Sequence, residues 1–357
     1  MSPDDAWPVV PEPGTVSVIV TVLNDPRVER TIESLLAQRR LPDEVLVDDG
    51  GGNGEVARLT KALAAREPRV RHLDAPGNIP ESRNTALRAA RGEYVAFLDA
   101  DEVAPPGWLD AILEPFADPS IGFVGGPTPA MPGTARTVGA RYYDAYLRRF
   151  YDTVARDQPH ALPMGNSAWR AAVFRRVGLL DTTLYRRAAS EDQEVALRAL
   201  AAGYRGRYAP AASVDHDFSD LSTRTLLRKQ RIYAEGGYVV WRRTGSTYEA
   251  RGSRLWPYVL FPGLLVLGAL LLVVPATRFV GGWVAIAGAV GLLGLAVALT
   301  VSGARLDRQY PGMRYRVLEI PRRWATLLGA LSGLVHYGWS GRRNRPGDAP
   351  TSAAAKP

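Results

Sequence analysis

An apolar, strand-like run ends abruptly in three carboxylates within the stretch GEYVAFLDADEVAPPGW, residues 92–108. The acids are Asp99, Asp101 and Glu102. Gathering like charges in or beside a protein interior is unfavourable unless a cation or another partner neutralises them. Two aspartates one residue apart at the end of a strand can present oxygens to one hard divalent cation, Mg²⁺ or Mn²⁺. The competing explanation is an exposed acidic turn, since isolated D-x-D tripeptides are frequent.

The elements that must position these acids follow an α/β pattern. Up to residue 220 the chain alternates short apolar runs with helix-like segments, which predicts an α/β domain with a mostly parallel sheet. Strands are predicted at residues 16–23, 44–47, 69–74 and 93–101, and helices within residues 26–38, 55–68 and 78–92. Carboxylates and glycines collect after the strands, where ligands bind in open α/β sheets.

The composition of the chain limits its chemistry and its partners. The 357 residues are 46% hydrophobic, enough to bury a substantial core. The lack of cysteine excludes a disulfide framework, a thiolate zinc site and a cysteine nucleophile, and favours a reducing compartment. Much of the net charge of +8 follows residue 220 beside apolar segments, which indicates a membrane surface and no nucleic acid. The start, MSPDDAWPVVPEPG, lacks the apolar core of a signal peptide.

Two uncharged segments, residues 255–274 and 279–301, are each long enough to span a bilayer core of roughly 30 Å. Only PATR separates them, so they predict a hairpin whose ends return to one side. Basic residues flank the hairpin on both sides: Arg224, Arg228, Lys229, Arg231, Arg242, Arg243, Arg251, Arg254, Arg305, Arg308, Arg314, Arg316, Arg322 and Arg323. This bias predicts a multi-pass cell-membrane protein whose α/β domain is cytoplasmic. The alternative is a pair of buried helices in a soluble domain.

A third apolar piece, residues 324–339, is shorter and has basic residues at both ends. Gly329 and Gly333 have the small-xxx-small spacing of closely packed helices. The length favours an interfacial or re-entrant helix, with a third membrane span as the alternative. The predicted division is an N-terminal extension (1–14), an α/β domain (15–254), two membrane helices (255–303), an amphipathic or third membrane helix (304–340) and a disordered tail (341–357).

Four motifs, in this order along the chain, resemble the family 2 glycosyltransferases of GT-A fold: VSVIVTVLND, EVLVDDGG, PGNIPESRNTAL and GEYVAFLDADE. The resemblance extends over roughly residues 15–240 and agrees in spacing and in strand position. It implies a GT-A nucleotide-sugar-binding domain, a glycosyltransferase activity, and Mn²⁺ or Mg²⁺ as the cofactor. It also implies a membrane-anchored enzyme of the polyprenyl- or dolichyl-linked glycan biosynthesis type.

The resemblance places the donor-binding residues mainly at the strand ends. Asn24 and Asp25 stand where the family holds the nucleotide base and ribose. The base-binding aspartate is Asp49 in an ungapped match, whereas a one-residue deletion would make it Asp48. Asp49 is preferred, and turn formation with the glycines is the competing role for either. The donor-binding set is Thr21, Asn24, Asp25, Asp48, Asp49, Arg83, Asp99, Asp101 and Arg231.

Four of the side chains are assigned to the diphosphate and the metal. Arg83 of ESRN would reach the base or the phosphates, because a guanidinium fork can bind a diphosphate through bidentate contacts. Asp99 is expected on the ribose and metal side, and Asp101 on the metal that bridges the diphosphate. His216 in AASVDHDFSD resembles the family's Val-x-His near the metal, although a lone histidine is more often structural.

Two later segments, PMGNSAW and ASEDQEVALRALAAGY, resemble the acceptor side and the catalytic base of the family. The acceptor-side residues are Gly165, Asn166 and Glu191. The second acid of the Glu191–Asp192 pair is the family's usual base, so Asp192 is the predicted catalytic residue. From the local sequence alone, Ser190 is a helix N-cap and Gln193 closes a capping box, a role compatible with catalysis.

The predicted reaction is a metal-dependent, inverting transfer of a sugar from a UDP- or GDP-linked donor to a hydroxyl of a lipid-linked saccharide. QRIY does not complete the Q-x-x-R-W signature of processive synthases, which predicts a non-processive enzyme. The nearest alternative is a polyprenyl-phosphate monoglycosyltransferase. A nucleotidyltransferase would need a glycine-rich phosphate loop that TVLNDPRVER lacks, and a degenerate binding module would not need intact acids. The sequence leaves the sugar, the nucleotide and the acceptor open.

Overall fold

The predicted α/β domain forms around a seven-stranded, mostly parallel mixed sheet. The computed structural model describes residues 11–52, 54–157, 159–182, 189–245 and 256–338. The strands are β1 (Glu12–Val22), β2 (Glu44–Asp49), β3 (Val70–Asp74), β4 (Gly92–Asp99), β5 (Glu102–Val103), β6 (Ile121–Gly125), β7 (Asn166–Arg170), β8 (Arg205–Tyr208) and β9 (Asp215–His216). Their order in the large sheet is β3-β2-β1-β4-β7-β6-β8, and β5 pairs with β9 in a small second sheet.

Amphipathic helices cover both faces of the large sheet. The helices of this domain are α1 (Val28–Leu36), α2 (Glu55–Ala64), α3 (Ile79–Ala89), α4 (Trp108–Leu113), α5 (Val138–Thr153), α6 (Ala171–Val177), α7 (Glu191–Ala201) and α8 (Thr223–Thr244). Apolar residues of α1, α2 and α4 pack on one face, and those of α3, α6 and α7 pack on the other. Because both faces are covered, the central strands are continuous apolar runs in the sequence.

The register of the central strands brings three strand ends together. β1 pairs in parallel with both β2 and β4, so the carboxyl ends of all three lie at one edge of the sheet. Thr21 of β1 stands between Asp48 on β2 and Asp99 on β4. The antiparallel pairing of β5 with β9 sets Glu102 opposite His216 beside this edge. The sheet therefore gathers carboxylates where ligands bind in such folds.

The two long apolar segments form helices α9 (Trp256–Val273) and α10 (Arg278–Leu306), which pack against each other. A 3-10 turn, Pro275–Thr277, joins them into the predicted hairpin. Both helices are long and apolar enough to cross a membrane, and only 6% and 11% of their most apolar windows are buried. Two core helices of a soluble domain would be mostly buried, so this exposure argues against that alternative.

The third apolar piece belongs to helix α11 (Glu319–Tyr337), which packs along α8. A Cβ added to Gly329 would overlap the carbonyl oxygen of Arg231, so the small-residue spacing permits close contact with α8. Arg322 near its start is buried and pairs with Glu319. Among the described residues only α9 and α10 qualify as spans, which favours the amphipathic interpretation of α11. Residues 1–10 and 339–357, with most of the predicted extension and the tail, lie outside the described residues.

Candidate functional site

Arg83 lies at the centre of the charged residues at the carboxyl edge of the sheet. It is on the second turn of α3, whose start is fixed by a capping box between Asn78 and Glu81. The guanidinium is buried and reaches Asp99 Oδ1 at 3.0 Å and Glu191 Oε1 at 3.2 Å. Arg83 therefore joins the end of β4 to the start of α7, which lie far apart in the sequence.

More carboxylates surround Arg83 than one guanidinium can neutralise. Burial works against the charge of Arg83, but the charges of Asp99 and Glu191 outweigh burial and raise its pKa. Burial, reinforced by the charge of Asp192, raises the pKa of Glu191 to about 7. Burial likewise raises the pKa of Asp192. At neutral pH this cluster therefore retains protons that free carboxylic acids would have lost.

Asp48 is the most deeply buried acid of the cluster. Its side chain is fully buried, and neither carboxylate oxygen has a hydrogen-bond partner among the residues that the structure describes. Burial raises its pKa to about 7, although the charge of Arg83 acts in the opposite direction. An orphaned buried carboxylate is unfavourable for folding, so its retention at this edge points to a functional role.

The predicted base, Asp192, is at the start of α7 and is partly exposed, unlike its neighbour Glu191. Its Oδ2 accepts a hydrogen bond from the Met164 nitrogen at 3.3 Å. The residue after Met164 is Gly165, where a Cβ would overlap the carboxylate of Asp99. The loop before β7 therefore touches both Asp192 and Asp99, and it can do so only with glycine at position 165.

The capping box predicted at the start of α7 is wrong. Ser190 does occupy the N-cap position, but its φ of 69° is left-handed and its side chain makes no capping hydrogen bond. Its hydroxyl instead donates to the Tyr233 carbonyl of α8 at 3.3 Å. This tertiary contact replaces the local one. A left-handed φ is strained for serine, and such strain is concentrated at functional sites.

A second group of charged residues lies on the other side of the β4 end. His216 Nε2 is 3.2 Å from Asp101 Oδ2, and His216 Nδ1 is 3.4 Å from Glu102 Oε1. Burial opposes the charge of Asp101, but the hydrogen bond with His216 outweighs burial and lowers the pKa of Asp101. Burial similarly opposes protonation of His216, but the bond to Asp101 raises its pKa. Burial raises the pKa of Glu102 to about 8.

The Asp101–His216 pair fits a metal whose remaining coordination positions are filled by a bound substrate and by water. Among the described residues, no cluster of three or more acids or histidines has a metal-binding arrangement. Mg²⁺ in particular is often bound through one or two carboxylates, with substrate phosphates and waters completing its coordination. The oxygen of Asp101 and the nitrogen of His216 suit such a cation. Asp99, the other predicted ligand, contacts Arg83 instead.

Arg27 is a site residue that the sequence analysis missed. Its guanidinium lies 2.6 Å from Asp25, 3.1 Å from Asp220 and 3.9 Å from Asp101. Asp217 is 3.8 Å away. The hydrogen bond to Asp25 and the nearby acids raise the pKa of Arg27, although burial opposes them. The signal was present in TVLNDPRVER, where the arginine follows Asp25 by two residues.

The other predicted base-binding residues surround the loop after β2. Asp49 points to the opposite sheet face from Asp48, and its Oδ2 lies 3.2 Å from His72 Nε2. Its Oδ1 accepts a hydrogen bond from the Gly51 nitrogen at 3.0 Å, the turn role that competed with base binding. Asn24 has a left-handed φ of 53° and its side chain lies against Gly52.

Two predicted residues lie apart from these charged groups. Asn166 is fully buried, where Oδ1 accepts from Trp108 Nε1 and Nδ2 donates to the carbonyls of Pro127 and Ala212. Those bonds make it part of the core that supports β7. Arg231 lines a groove between α8 and α11. Lys229, on another side of α8, is instead close enough to lower the pKa of Asp101.

Comparison with known proteins finds similarity to one family and to one fold. The family model described as "Glycosyl transferase family 2" matches residues 17–178. The pre-mycofactocin glycosyltransferase of Mycobacterium tuberculosis is 31% identical over 229 residues, which cover 62% of this chain and 45% of that protein. An uncharacterized glycosyltransferase of Bacillus subtilis, EpsJ, is 30% identical over 112 residues, 31% of this chain and 33% of that protein. This chain thus spans under half the length of these relatives.

One solved structure is similar over nearly the whole chain. It is the mannosyltransferase PcManGT from Pyrobaculum calidifontis, in complex with GDP-Man and Mn²⁺. The similarity covers 92% of this chain and 90% of that one, with a TM-score of 0.60 and 20% sequence identity. At that identity the likeness establishes the shared GT-A fold.

Proposed function

The chain belongs to glycosyltransferase family 2 through residues 17–178, and from this premise we propose that it transfers a sugar from a nucleotide-diphosphate sugar to a lipid-linked saccharide. The transfer inverts the anomeric configuration and adds sugars non-processively. The observation that carries the proposal is that Arg83 bonds to both Asp99 and Glu191, beside the partly exposed Asp192. A one-step displacement requires a carboxylate base that is already oriented beside a fixed donor site.

The nucleotide sugar would bind along the carboxyl edge of the sheet. Asp49 and Asn24 line the loop after β2 and would hold the base, with Asp25 nearby for the ribose. Arg83 is only 7% exposed and already pairs with two carboxylates. We therefore assign it chiefly to positioning Asp99, and only secondarily to direct contact with the donor.

Asp101 and His216 would hold Mn²⁺ or Mg²⁺, and the bound cation would offset the negative charge of the departing nucleoside diphosphate. The ligands of the Pyrobaculum calidifontis structure, GDP-Man and Mn²⁺, support this donor class and this type of cation. Arg27 and Lys229 border the same place and add positive charge toward the phosphates.

Asp192 would perform the proton transfer. Its carboxylate accepts the proton of the acceptor hydroxyl while that oxygen attacks the anomeric carbon from the face opposite the diphosphate. The bond between the anomeric carbon and the phosphate oxygen breaks, and the nucleoside diphosphate leaves with the bonding electrons. Burial raises the pKa of Asp192, which makes it a stronger base than a free aspartate. The hydrogen bond from Met164 fixes its orientation.

The membrane hairpin supports the choice of a lipid-linked acceptor. α9 and α10 would cross the bilayer, and the flanking arginines would keep residues 15–254 on the cytoplasmic side as one catalytic domain. The site of such a domain would lie close to the membrane surface. A polyprenyl- or dolichyl-linked saccharide would then be within reach of Asp192.

The test is a titration of the detergent-purified full chain with UDP- and GDP-sugars, in Mn²⁺ and in EDTA. We expect metal-dependent binding of one nucleotide that Asp101→Ala abolishes. Asp192→Asn should retain that binding and lose transfer to a lipid-linked saccharide extract. The matched control is Asp110→Ala, which removes an exposed acid of α4. No nucleotide binding under any condition would refute the donor site, and full activity of Asp192→Asn would refute the base.

A further inference from the structure

The groove between α8 and α11 is separate from the catalytic residues. Its volume is about 940 Å³. One wall is basic and belongs to α8, and the other is apolar and belongs to α11. The lining residues that matter are Arg224, Arg228, Arg231, Ile320, Trp324 and Leu328.

The basic wall is a regular row. Arg224, Arg228 and Arg231 are spaced four and three residues apart, so they lie on one face of α8. All three are exposed, and no carboxylate among the described residues forms an ion pair with any of them. Like charges at this spacing destabilise a helix slightly. The row therefore suits an anionic partner from outside the chain.

The apolar wall continues beyond the groove as an exposed stripe of α11. Ile320, Trp324 and Leu328 recur every four residues along it. Leu331 and Val335 extend it and are 56% and 79% exposed. The opposite face of α11 is already used, since Gly329 and its neighbours pack on α8. The stripe is therefore open to an apolar ligand.

The stripe is also continuous with the membrane hairpin. The segment just before α11 packs on the end of α10, where a Cβ added to Gly303 would overlap the Met313 carbonyl oxygen. α11 also contacts α9. A basic row beside an apolar stripe at the end of two membrane helices matches the interface between headgroups and acyl chains.

We propose that this groove binds one anionic phospholipid of the surrounding bilayer. Its phosphate lies against Arg224, Arg228 and Arg231, and an acyl chain lies along Trp324 and Leu328. The proposal rests on the membrane placement in the proposed function but not on the sugar-transfer reaction. The occupied groove would fix α8, whose Tyr233 carbonyl holds Ser190 beside the catalytic Asp192. The lipid thus orients the catalytic domain on the membrane.

The experiment measures fluorescence quenching of Trp324 in the full chain, reconstituted in phosphatidylcholine nanodiscs. The discs contain increasing fractions of dibrominated phosphatidylglycerol or dibrominated phosphatidylcholine, without nucleotide or acceptor. Subtracting the signal of Trp324→Phe isolates the one tryptophan. Each arginine near the phosphate adds about a fivefold preference for anionic lipid. Half-quenching should therefore occur at a roughly hundredfold lower fraction of dibrominated phosphatidylglycerol than of dibrominated phosphatidylcholine.

Replacing Arg224, Arg228 and Arg231 with glutamine should remove the preference. The matched control replaces Arg39, Arg58 and Arg66, three exposed arginines of the α/β domain, and should leave it unchanged. The single variant Arg228→Glu should reverse part of the preference if the triple variant does not fold. Equal quenching by both lipids, or an unchanged preference in the folded triple variant, would overturn the proposal. Displacement of phosphatidylglycerol by an equimolar isoprenyl phosphate would reassign the groove to a substrate lipid and overturn it as well.

Discussion

Asp48 and Asp49 are adjacent acids that differ in surroundings, and this difference leads to a quantitative prediction. Asp48 is fully buried, and in the described part of the chain neither of its carboxylate oxygens has a hydrogen-bond partner, whereas Asp49 makes a turn hydrogen bond and contacts His72. Replacing Asp48 with asparagine keeps the shape and removes the charge. We therefore expect Asp48→Asn to stabilise the fold, which is the opposite of the usual outcome for a buried substitution.

The size and sign of the effect follow from the raised pKa. Burial raises the pKa of Asp48 from 3.8 to about 7. Each pKa unit corresponds to about 1.4 kcal/mol, so the ionised carboxylate destabilises the folded state by about 4 kcal/mol. The folded state holds the proton more tightly than the unfolded state. The penalty is therefore absent below about pH 4, grows as the pH rises, and is complete above about pH 7.

The assay is thermal unfolding of the detergent-solubilised full chain, followed by intrinsic tryptophan fluorescence at pH 5 and pH 8. Asp48→Asn should raise the Tm at pH 8 by on the order of 10 °C, and at pH 5 by about a third of that. Asp110→Asn, an exposed acid, is the control and should change neither value. A gain that does not depend on pH, or a loss of Tm at pH 8, would show that the buried charge is not the cause.

Three further outcomes are expected, each checked by its own measurement. Asp49→Asn should weaken nucleotide binding at least tenfold in an equilibrium titration and lower the Tm only slightly, because the amide oxygen can still accept the turn hydrogen bond from Gly51 while only the charge facing His72 is lost; unaltered affinity would leave Asp48 as the base-binding acid. Gly165→Ala should lower sugar-nucleotide turnover about a hundredfold by displacing Asp99, whereas Gly237→Ala, which meets open space, should not. Glu319→Gln should reduce the free energy of unfolding by about 3 to 5 kcal/mol, measured as a fall in Tm, because it leaves the buried Arg322 without its charge partner.

The sequence predicted the strands, but it did not predict which residues contact the acids of the site. Apolar runs predicted β1, β2 and β4 because these central strands are largely buried on two faces, a strong signal in the sequence, whereas β3 is an edge strand and is only partly buried. The different partners of Asp99 and Asp101 could not be predicted in this way. They depend on β9 pairing with β5, which brings His216 across 115 positions to Asp101 while Asp99 turns toward Arg83. Such pairings over long sequence distances have no local signature.

Two polar side chains form tertiary contacts that the local sequence did not predict. Ser190 and Gln193 have the spacing of a capping box, but the Tyr233 carbonyl on α8 takes the serine hydroxyl. Asn166 stands in a polar-looking GNS segment, yet it is buried and bonds to three partners in the core. In both cases a side chain that is polar in the sequence forms its bonds with residues that are distant in the chain. The identity of those partners cannot be deduced from neighbouring residues alone.

The two halves of the site balance their charges in different ways. Arg83 is buried and permanently balances Asp99, while protons retained by Asp48 and Glu191 balance the rest, since both have pKa values near 7. Around Asp101 the balance is different, because the pKa of Asp101 is lowered and it stays ionised beside His216, whose pKa is raised, while Glu102 retains its proton near neutral pH with a pKa of about 8. The balancing arginine of this half, Arg27, is 25% exposed and shared among several acids. A diphosphate entering there would add negative charge beside Arg27 and His216, which is where the proposed cation would act.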